Sequence, residues 1–462
     1  MNAPLFWIVF PGLSAAVLFI FRRWQRWITL IGIGLSLLLS WMAWRLPIDE
    51  LISLGPWSLR ISTTLMVLGR QFVLTATDQP LLRLIYILAA FWLAGSYLAK
   101  PGDMFVPLSL GIVSLMIAAL AVEPFLYAAL LIEMAALLCI PLLSIQGKPV
   151  GRGVLRFLTY QTLGTPFILF SGWALTSIET APGVDTPAYR AAILLAIGFS
   201  FLLAIFPLNT WIPLLAEEAH PYAVAFVLLM LPGIATMFGL NFIQRYTWLH
   251  DSPNVYSILR LAGVIMIVTS GISAAFQRHL GRILAHAVIL DIGLSLLAAG
   301  CFGSPSSNNL PAGSVGISQT GIFSALFFAR GLVLGAWALA LSKVRNETKE
   351  LSFRSVQGLG RRFPITAAAI LLANFSIGGF PLLVGFPIRL IVWQQIAQIA
   401  PVFGLWALIG SVGLLTGGLR TLAVFVMGNE EQSWTVTERG GFLIFLVLEV
   451  FTMIGLGLFP ML

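Results

Sequence analysis

The chain has 462 residues, of which 59% are hydrophobic and 10% are charged, and its mean hydropathy is +0.96. This composition excludes a water-soluble enzyme, which needs a charged exterior, and is typical of a polytopic membrane protein. In such a protein the net charge of +8 indicates basic cytoplasmic loops and not a nucleic-acid-binding surface.

Fourteen apolar segments of roughly 18 residues or more predict transmembrane helices. Their predicted spans are 3–21, 27–45, 80–98, 104–122, 125–145, 155–176, 191–216, 221–241, 257–276, 282–302, 318–341, 364–397, 402–427 and 440–460. The predicted fold class is therefore all-α, a polytopic membrane protein with about 14 transmembrane helices. Loops after odd-numbered helices hold seventeen Lys and Arg residues, whereas loops after even-numbered helices hold seven. The positive-inside rule then places the odd loops in the cytoplasm and both termini outside.

Two loops differ from the rest in composition. Residues 52–74 contain short β-prone runs separated by Gly and Pro, which predict a hairpin on the outer surface that packs against a neighbouring subunit. An irregular loop is equally compatible with this pattern. Residues 342–362 are the most charged stretch, and either anionic lipid headgroups or a cytoplasmic partner subunit would account for that charge.

The most informative stretch lies between predicted helices seven and eight, where prolines and charged residues interrupt an apolar run. Proline removes a backbone donor and breaks or kinks a helix. Broken backbone survives at membrane depth only inside protein or beside water, and discontinuous helices often form ion sites in transporters. The predicted broken-helix hinge consists of Pro207, Asn209, Trp211, Pro213, Glu217, Glu218, His220 and Pro221.

A second interruption, G-G-F-P-L-L-V-G-F-P-I-R, falls in predicted helix twelve. If helices four to eight and nine to thirteen form repeating units, broken helices seven and twelve are equivalent. Because five is odd, the second unit enters from the opposite side, and this predicts two inverted five-helix repeats. The predicted divisions are 1–103 for the N-terminal helices and hairpin, 104–241 and 242–427 for the two units, and 428–462 for the C-terminal helix.

Few ionisable side chains lie at bilayer depth in the predicted helices, where each costs about 2.5–3.5 kcal/mol and is a functional candidate. They are Glu133, Asp291, Arg330, Arg389 and Glu449, with His286 about one turn from Asp291. Glu133, surrounded by Leu, Ile, Met and Ala, suits reversible protonation, although a structural acid paired with an arginine or a backbone donor is the alternative. Asp291 suits a proton relay near His286 or, alternatively, a structural pair with Arg330.

The run F-P-L-N-T-W-I-P followed by A-E-E-A-H-P resembles the broken-helix segment of a known family. These are the antiporter-like membrane subunits of respiratory complex I (NADH-quinone oxidoreductase chains of the M, N and L type) and of multisubunit Mrp-type cation/proton antiporters. The resemblance covers roughly 75–430. It implies two inverted five-helix units and a role in moving protons or cations across the membrane. A Pro-kinked helix pair in an unrelated secondary transporter is the other interpretation.

The resemblance extends to single positions. Glu133 matches the helix-five glutamate that belongs to the family's proton path. R-I-L-A-H-A-V-I-L-D-I-G is similar to the family's R-L-L-A-Y-S-S-x-S-H-x-G, with Asp291 where the family often has histidine. Arg389, in G-F-P-I-R, stands where the family places lysine or glutamate, and Arg330 lies near the helix-eleven lysine. Arg389 thus belongs to a charged axis or is a static counter-ion.

The chain also departs from the family pattern. Leu202 stands at the position of the helix-seven lysine, Pro232 lies near that of the helix-eight lysine, and Asn209 replaces a histidine. No lysine lies within a predicted helix, and arginine does not readily give up its proton. This divergent member therefore either pumps by another route or is a non-pumping structural scaffold of its complex.

Motifs for other chemistry are missing from the sequence, which contains no G-x-x-x-x-G-K-[ST], H-E-x-x-H or C-x-x-C. We therefore expect no catalytic residue, no metal site and no cofactor in this chain. The resemblance implies quinone and iron–sulfur or flavin groups in partner subunits of a redox-driven translocase. It also implies other membrane subunits as partners, protons or Na⁺ as cargo, and a bacterial cytoplasmic membrane or another energy-coupling membrane as the location.

Overall fold

The computed structural model describes residues 2–54, 57–67, 69–144, 147, 149–180, 185–303, 319–427, 436–438 and 440–459. Helices dominate this part of the chain. They are α1 Phe10–Ile20, α2 Gln25–Arg45, α3 Gln79–Ala99, α4 Phe105–Ala121, α5 Ala128–Leu143, α6 Arg152–Thr180, α7 Asp185–Leu202, α8 Trp211–Glu218, α9 Pro221–Arg245, α10 Thr247–His250, α11 Pro253–Phe276, α12 Leu280–Phe302, α13 Gln319–Thr348, α14 Pro364–Gly378, α15 Gly385–Ile399, α16 Pro401–Val426 and α17 Gly441–Leu458.

Every apolar segment predicted from the sequence has a helix at its place, and two are divided as the prolines and glycines indicated. The segment 191–216 forms α7 and α8, and the segment 364–397 forms α14 and α15. Within the described residues, nine helices are long and apolar enough to cross a membrane, and further apolar helices are shorter. The predicted fold class, a polytopic helical membrane protein with breaks at these two places, is confirmed.

One helix boundary differs from the prediction in a way that affects the lysines. The apolar run ends near residue 341, but α13 continues to Thr348 and includes Lys343. Hydropathy marks where the apolar stretch ends, whereas backbone hydrogen bonding continues the helix through charged residues, helped by an i,i+4 ion pair from Lys343 to Glu347 at 2.7 Å. The prediction that no lysine lies in a helix is therefore wrong for Lys343.

The region between α2 and α3 forms two antiparallel hairpins. Strands β1 Leu51–Leu54 and β2 Trp57–Arg60 pair with each other, and the turn residues 55–56 lie outside the described residues. Strands β3 Thr64–Val67 and β4 Arg70–Val73 form the second hairpin, which β5 Val122–Glu123 extends beside β4. The prediction of β-hairpin structure in this region is confirmed.

The chain divides into two compact units. The first comprises 1–149, 158–203 and 230–242. Its core contains buried hydrogen bonds from Tyr86 to the Trp7 carbonyl and from Trp7 Nε1 to the Leu39 carbonyl. Because lipid offers no partner for buried polar groups, such bonds fix the packing of helices that are otherwise apolar on all sides.

The second unit comprises 150–157, 204–229 and 243–462, and α12 is its central helix. The apolar window of α12 is 94% buried, and the helix packs against α8, α11, α13 and α16. Gly263 and Gly293 allow close approach of α11 and α12, since a Cβ at Gly263 would lie 2.6 Å from the Gly293 carbonyl oxygen. This packing encloses Asp291, which is on α12, among protein atoms.

Candidate functional site

The second unit contains a buried ion cluster of three side chains, Asp291, Arg330 and Arg389. The Nε of Arg330 donates to Asp291 Oδ2, and an Nη2 hydrogen of Arg389 donates to Asp291 Oδ1, so each carboxylate oxygen has its own guanidinium. Arg330 also donates to the Asp291 carbonyl at 3.1 Å and to Ser295 Oγ at 2.7 Å. We call these three residues the Asp291 cluster.

Burial makes the Asp291 cluster energetically important. All three side chains are only 3–5% exposed. Desolvation of a charge is costly, and removal of one partner from such a pair leaves a buried charge without compensation. With all three groups ionised, the cluster carries one excess positive charge. The cluster therefore places a net positive charge, held by hydrogen bonds, in an apolar interior.

The Asp291 cluster lies at the break between α14 and α15, which we call the second break (residues 379–384). Arg389 is near the start of α15, and the Gly385 amide donates across the break to Ser376 Oγ at 3.2 Å. A cavity of about 10 Å³ lined by Asp291, both arginines and Ser376 adjoins the cluster. That volume is close to the minimum for one water molecule.

The sequence predictions for this region are partly resolved by these contacts. Asp291 pairs with Arg330, as one interpretation proposed, but also with Arg389, a pairing that the sequence left open. His286 takes another partner, because its Nε2 lies 3.4 Å from the Gln277 side-chain nitrogen. A direct relay from His286 to Asp291 has no hydrogen bond in the described residues.

Glu133 has a different environment from Asp291. It lies in α5 in the first unit, is half-buried, and has no hydrogen bond or ion pair with the described residues. Its neighbour Met134 is 54% exposed, so this face of α5 is not covered within the chain. The interpretation of Glu133 as an acid paired with an arginine has no support among the described contacts.

We call the interruption between α7 and α8 the first break (residues 203–210). Ala204 lies near its start. The φ of Ala204 is +51°, in the left-handed region that non-glycine residues rarely adopt. Pro207 then precedes a short 3₁₀ turn, Leu208–Thr210, that contains half-buried Asn209. Trp211 begins α8, is fully buried and packs against Phe157 with ring centroids 5.1 Å apart, while Pro213 lies inside α8.

Charged groups hold the end of α8. Arg282 Nε donates to Glu217 Oε2 at 2.9 Å, and the Gly153 amide at the start of α6 donates to Glu218 Oε2 at 2.7 Å. Arg345 donates to the carbonyls of Ala219 and Glu218, the latter at 3.1 Å, which satisfies acceptors that a helix end leaves free. The contacts of these two glutamates with Arg282 and Gly153, together with those of Arg345, thus fix the position of α8 after the first break.

His220 caps the next helix. Its Nδ1 accepts from the Tyr222 amide at 3.3 Å, and Pro221 occupies the first position of α9. Burial, and secondly the positive charge of Arg345, lower the pKa of His220 to about 4. The imidazole is therefore neutral at physiological pH and acts as a hydrogen-bond acceptor.

The positions that lack the expected lysines are apolar in the structure. Leu202 is only 1% exposed at the end of α7, and Pro232 lies inside the nearly fully buried helix α9. The Thr236 hydroxyl donates to the Pro232 carbonyl at 2.7 Å, so this part of α9 satisfies its own polar groups. Neither position offers a titratable group.

Two further buried acids have environments that the sequence did not reveal. Glu438 accepts from the Ile365 and Thr366 amides at 2.9 and 2.8 Å and from the Thr366 hydroxyl, and so caps α14. Glu449 in α17 is 3% exposed, and neither of its carboxylate oxygens has a hydrogen-bond partner in the described residues. The position of Glu449 in an apolar helix was visible in the sequence, but its enclosure was not.

Metal binding has no candidate site in the described residues, where no three His, Cys, Asp or Glu side chains are grouped to hold an ion. Cys139 and Cys301 are buried free thiols. The buried charged side chains of the second unit are carboxylates and guanidiniums.

Comparison with known proteins finds relatives among NAD(P)H-quinone oxidoreductase chains. An NAD(P)H-quinone oxidoreductase chain 4 from a Synechococcus strain is 27% identical over 297 residues, which are 59% of this chain and 52% of that relative. The chain thus spans about half the length of that relative. Among solved structures, a chain of the archaeal membrane-bound sulfane sulfur reductase, a respiratory membrane complex, is 16% identical with a TM-score of 0.79, covering 99% of this chain and 94% of the other.

A chain of respiratory complex I from Thermus thermophilus has the same fold, with a TM-score of 0.72 and 18% identity over 97% of this chain and 96% of the other. These likenesses show the fold, which agrees with the helix order and the two breaks. Residues 184–415, which include both breaks and the whole Asp291 cluster, match the transmembrane family of NADH:quinone oxidoreductase and Mrp antiporter subunits. The chain belongs to the NADH:quinone oxidoreductase/Mrp antiporter transmembrane family.

Proposed function

We propose that this chain is a proton- or cation-translocating membrane subunit of a multisubunit energy-coupling complex. The Asp291 cluster carries this proposal, because it places a buried net charge and a water-sized cavity beside a broken helix. Ionisable groups at membrane depth commonly mark ion pathways, and broken helices form the sites of many transporters. Glu133, His286, Asp291, Arg330 and Arg389 are the proposed pathway residues.

Each member of the proposed pathway has a separate role. Glu133, which has no described partner, takes up and releases protons. The two guanidiniums remain charged and bind the Asp291 carboxyl group, so they orient water in the adjoining cavity and do not carry the proton themselves. His286, bonded to Gln277, supplies a polar position about one turn from Asp291 along α12.

A non-pumping scaffold is the second candidate, and a specific observation favours it. Buried Leu202 and Pro232 occupy the places where the resemblance led us to expect lysines, and Lys343 is in the charged last turns of α13 paired with Glu347. In a scaffold, the Asp291 cluster would serve only to hold α12, α13 and α15 together.

The relatives support a proposal for the complex and its location. We propose other membrane subunits as partners, with quinone and iron–sulfur or flavin groups in those partners, in a complex of the NAD(P)H-quinone oxidoreductase kind or of the Mrp antiporter kind. Protons or Na⁺ are the cargo, and the chain has no catalytic role alone. The proposed location is a bacterial cytoplasmic membrane or another energy-coupling membrane, with both termini outside.

Neutralisation of Glu133 tests this function, because it removes a proposed pathway acid without breaking a buried ion pair. Glu133→Gln is introduced, assembly of the complex is checked by native electrophoresis, and proton pumping is measured in inverted membrane vesicles. We expect an assembled complex that has lost pumping. The matched control is Glu347→Gln, the same chemical change at a surface ion pair, which should leave pumping unchanged.

Two outcomes separate the candidates. Loss of pumping in E133Q with normal pumping in E347Q supports translocation through this chain. Full pumping in an assembled E133Q complex supports the scaffold and removes Glu133 from the pathway.

A further inference from the structure

The C-terminal helix α17 presents one narrow face to the rest of the second unit, and an acid lies at its centre. Leu446, Glu449 and Met453, spaced three and four residues apart, are 0–3% exposed, whereas Ile444 and Phe451 are at least 70% exposed. The spacing is that of one helical face. Glu449 is thus enclosed between two apolar residues on the side of α17 that contacts protein.

The carboxyl group of Glu449 has no partner that would stabilise a negative charge. Neither Oε1 nor Oε2 accepts or donates a hydrogen bond in the part of the chain that the structure describes. Glu438, eleven residues earlier in the chain, shows the contrast, because two backbone amides and a hydroxyl group of α14 donate to its carboxylate. A buried carboxyl group without such donors is neutral, since isolated buried charge is too costly.

Two of the helices that pack against α17 carry the arginines of the Asp291 cluster. Helix α17 contacts α13, α14 and α15, which hold Arg330, Asn374 and Arg389 respectively. The other charged groups of α13 in the described region are near its C-terminal end, where Lys343 pairs with Glu347 and Arg345 binds the Ala219 carbonyl; α14 has none. Lys343, Arg345 and Glu347 therefore bind partners other than Glu449.

Opposing influences therefore act on the Glu449 proton. Burial among Leu446, Met453 and the neighbouring helices favours the neutral acid. Water that reaches the group favours the carboxylate, because it solvates the negative charge.

We propose that Glu449 is a reversible proton-binding site that serves this chain in place of a membrane lysine. In the structure its carboxyl group is neutral; when water reaches it, the O–H bond breaks, the proton passes to water, and the carboxylate remains. No oxidation or reduction is involved. The exchange of this proton during turnover rests on the proposed function, whereas the presence of a protonatable carboxyl group at this position does not.

Infrared difference spectroscopy of the intact complex tests the binding site directly, because a protonated carboxylic acid has a carbonyl band that a carboxylate lacks. Spectra are collected across a pH series for the wild type and for Glu449→Gln, which preserves the side-chain shape. We expect a carbonyl band that titrates in the wild type and is lost in E449Q. It should remain in Glu438→Gln, because Glu438, whose carboxylate accepts from two backbone amides and a hydroxyl group, is not its source.

Labelling all glutamates of the wild type with ¹³C provides the test even if E449Q does not assemble. The titrating band should shift on labelling, which identifies it as a glutamate band, and should persist in labelled E133Q, which excludes Glu133 as its source. A band that is unchanged in E449Q, or the absence of any titrating glutamate band, overturns the proposal.

Pumping measurements separate this inference from the proposed function. A titrating Glu449 band together with loss of pumping in assembled E449Q supports both. A titrating band in a wild-type complex that does not pump keeps the site and removes the function. Normal pumping in E449Q, where E133Q has lost pumping, overturns the turnover role of Glu449 and keeps the function.

Discussion

Ion pairs lie at both breaks, but those at the second break are much more deeply buried than those at the first. At the first break, half-exposed pairs such as Glu217 with Arg282 hold α8, and their side chains are 37% and 40% exposed. At the second break, the Asp291 cluster is almost inaccessible to solvent. Exposed ion pairs contribute little because water screens them, whereas loss of one buried partner is strongly destabilising. Similar charge pairs should therefore have very different effects on stability.

The largest expected effect is at the second break. Asp291→Asn leaves two buried guanidiniums without a counter-ion and should lower the free energy of unfolding by about 3–5 kcal/mol. Chemical denaturation of the detergent-solubilised complex, together with its assembled fraction, measures this loss. Substitution of all three cluster residues by apolar residues of similar size should cost less, since no charge is then left unpaired. An Asp291→Asn protein as stable as the wild type would contradict the role of the cluster in stability.

His220 provides a test at the first break that depends on pH. Its folded-state pKa of about 4 lies below the ordinary value of 6.5, so the unfolded state binds the proton more strongly. Stability from this group is complete above about pH 6.5 and falls by about 3 kcal/mol as the pH drops through that range to about 4. His220→Asn keeps a capping acceptor and should reduce the pH dependence of the melting temperature between these values. Identical pH profiles for the two proteins would show that His220 is not the group responsible.

The backbone at the second break has a smaller expected effect. Gly379 has a φ of +86°, and an added Cβ would lie 2.7 Å from the indole of Trp393. Gly379→Ala should therefore destabilise the protein by about 1–2 kcal/mol from the left-handed conformation alone. The reverse change at the first break, Ala204→Gly, relieves the same kind of strain and should be stabilising. The melting temperatures of the two variants and the wild type test this pair of predictions. If both substitutions raise the melting temperature, or both lower it, backbone strain at these two positions is not what determines the effect.

The smallest effect should come from the half-exposed pair. Glu217→Gln removes one charge from the interaction with Arg282, and we expect a loss of no more than about 1 kcal/mol. The same measurement at high salt should show a smaller difference between variant and wild type, because salt screens exposed charges. A loss as large as that of Asp291→Asn would remove the contrast between the two breaks.

The sequence predictions differ most from the structure in which polar and charged side chains bind each other. Sequence spacing suggested His286 as a companion of Asp291, but five residues along α12 separate them and Gln277 takes the imidazole nitrogen. The sequence left open whether Arg389 belongs to a charged axis or is a static counter-ion. Its bond to Asp291 depends on the approach of α15 to α12. Such long-range approaches leave no periodic signal in the sequence.

The sequence by itself determined where the helices lie and where two of them break, because hydropathy and the lack of a proline N–H act within a few residues of the chain. It also identified Glu133, Asp291 and Glu449 as rare acids in apolar surroundings. Only the tertiary structure decided that Asp291 binds two arginines, that Glu133 has no described partner and that Glu449 is enclosed without one. The state of a charge in a membrane protein depends on which helices surround it, and that is a property of packing.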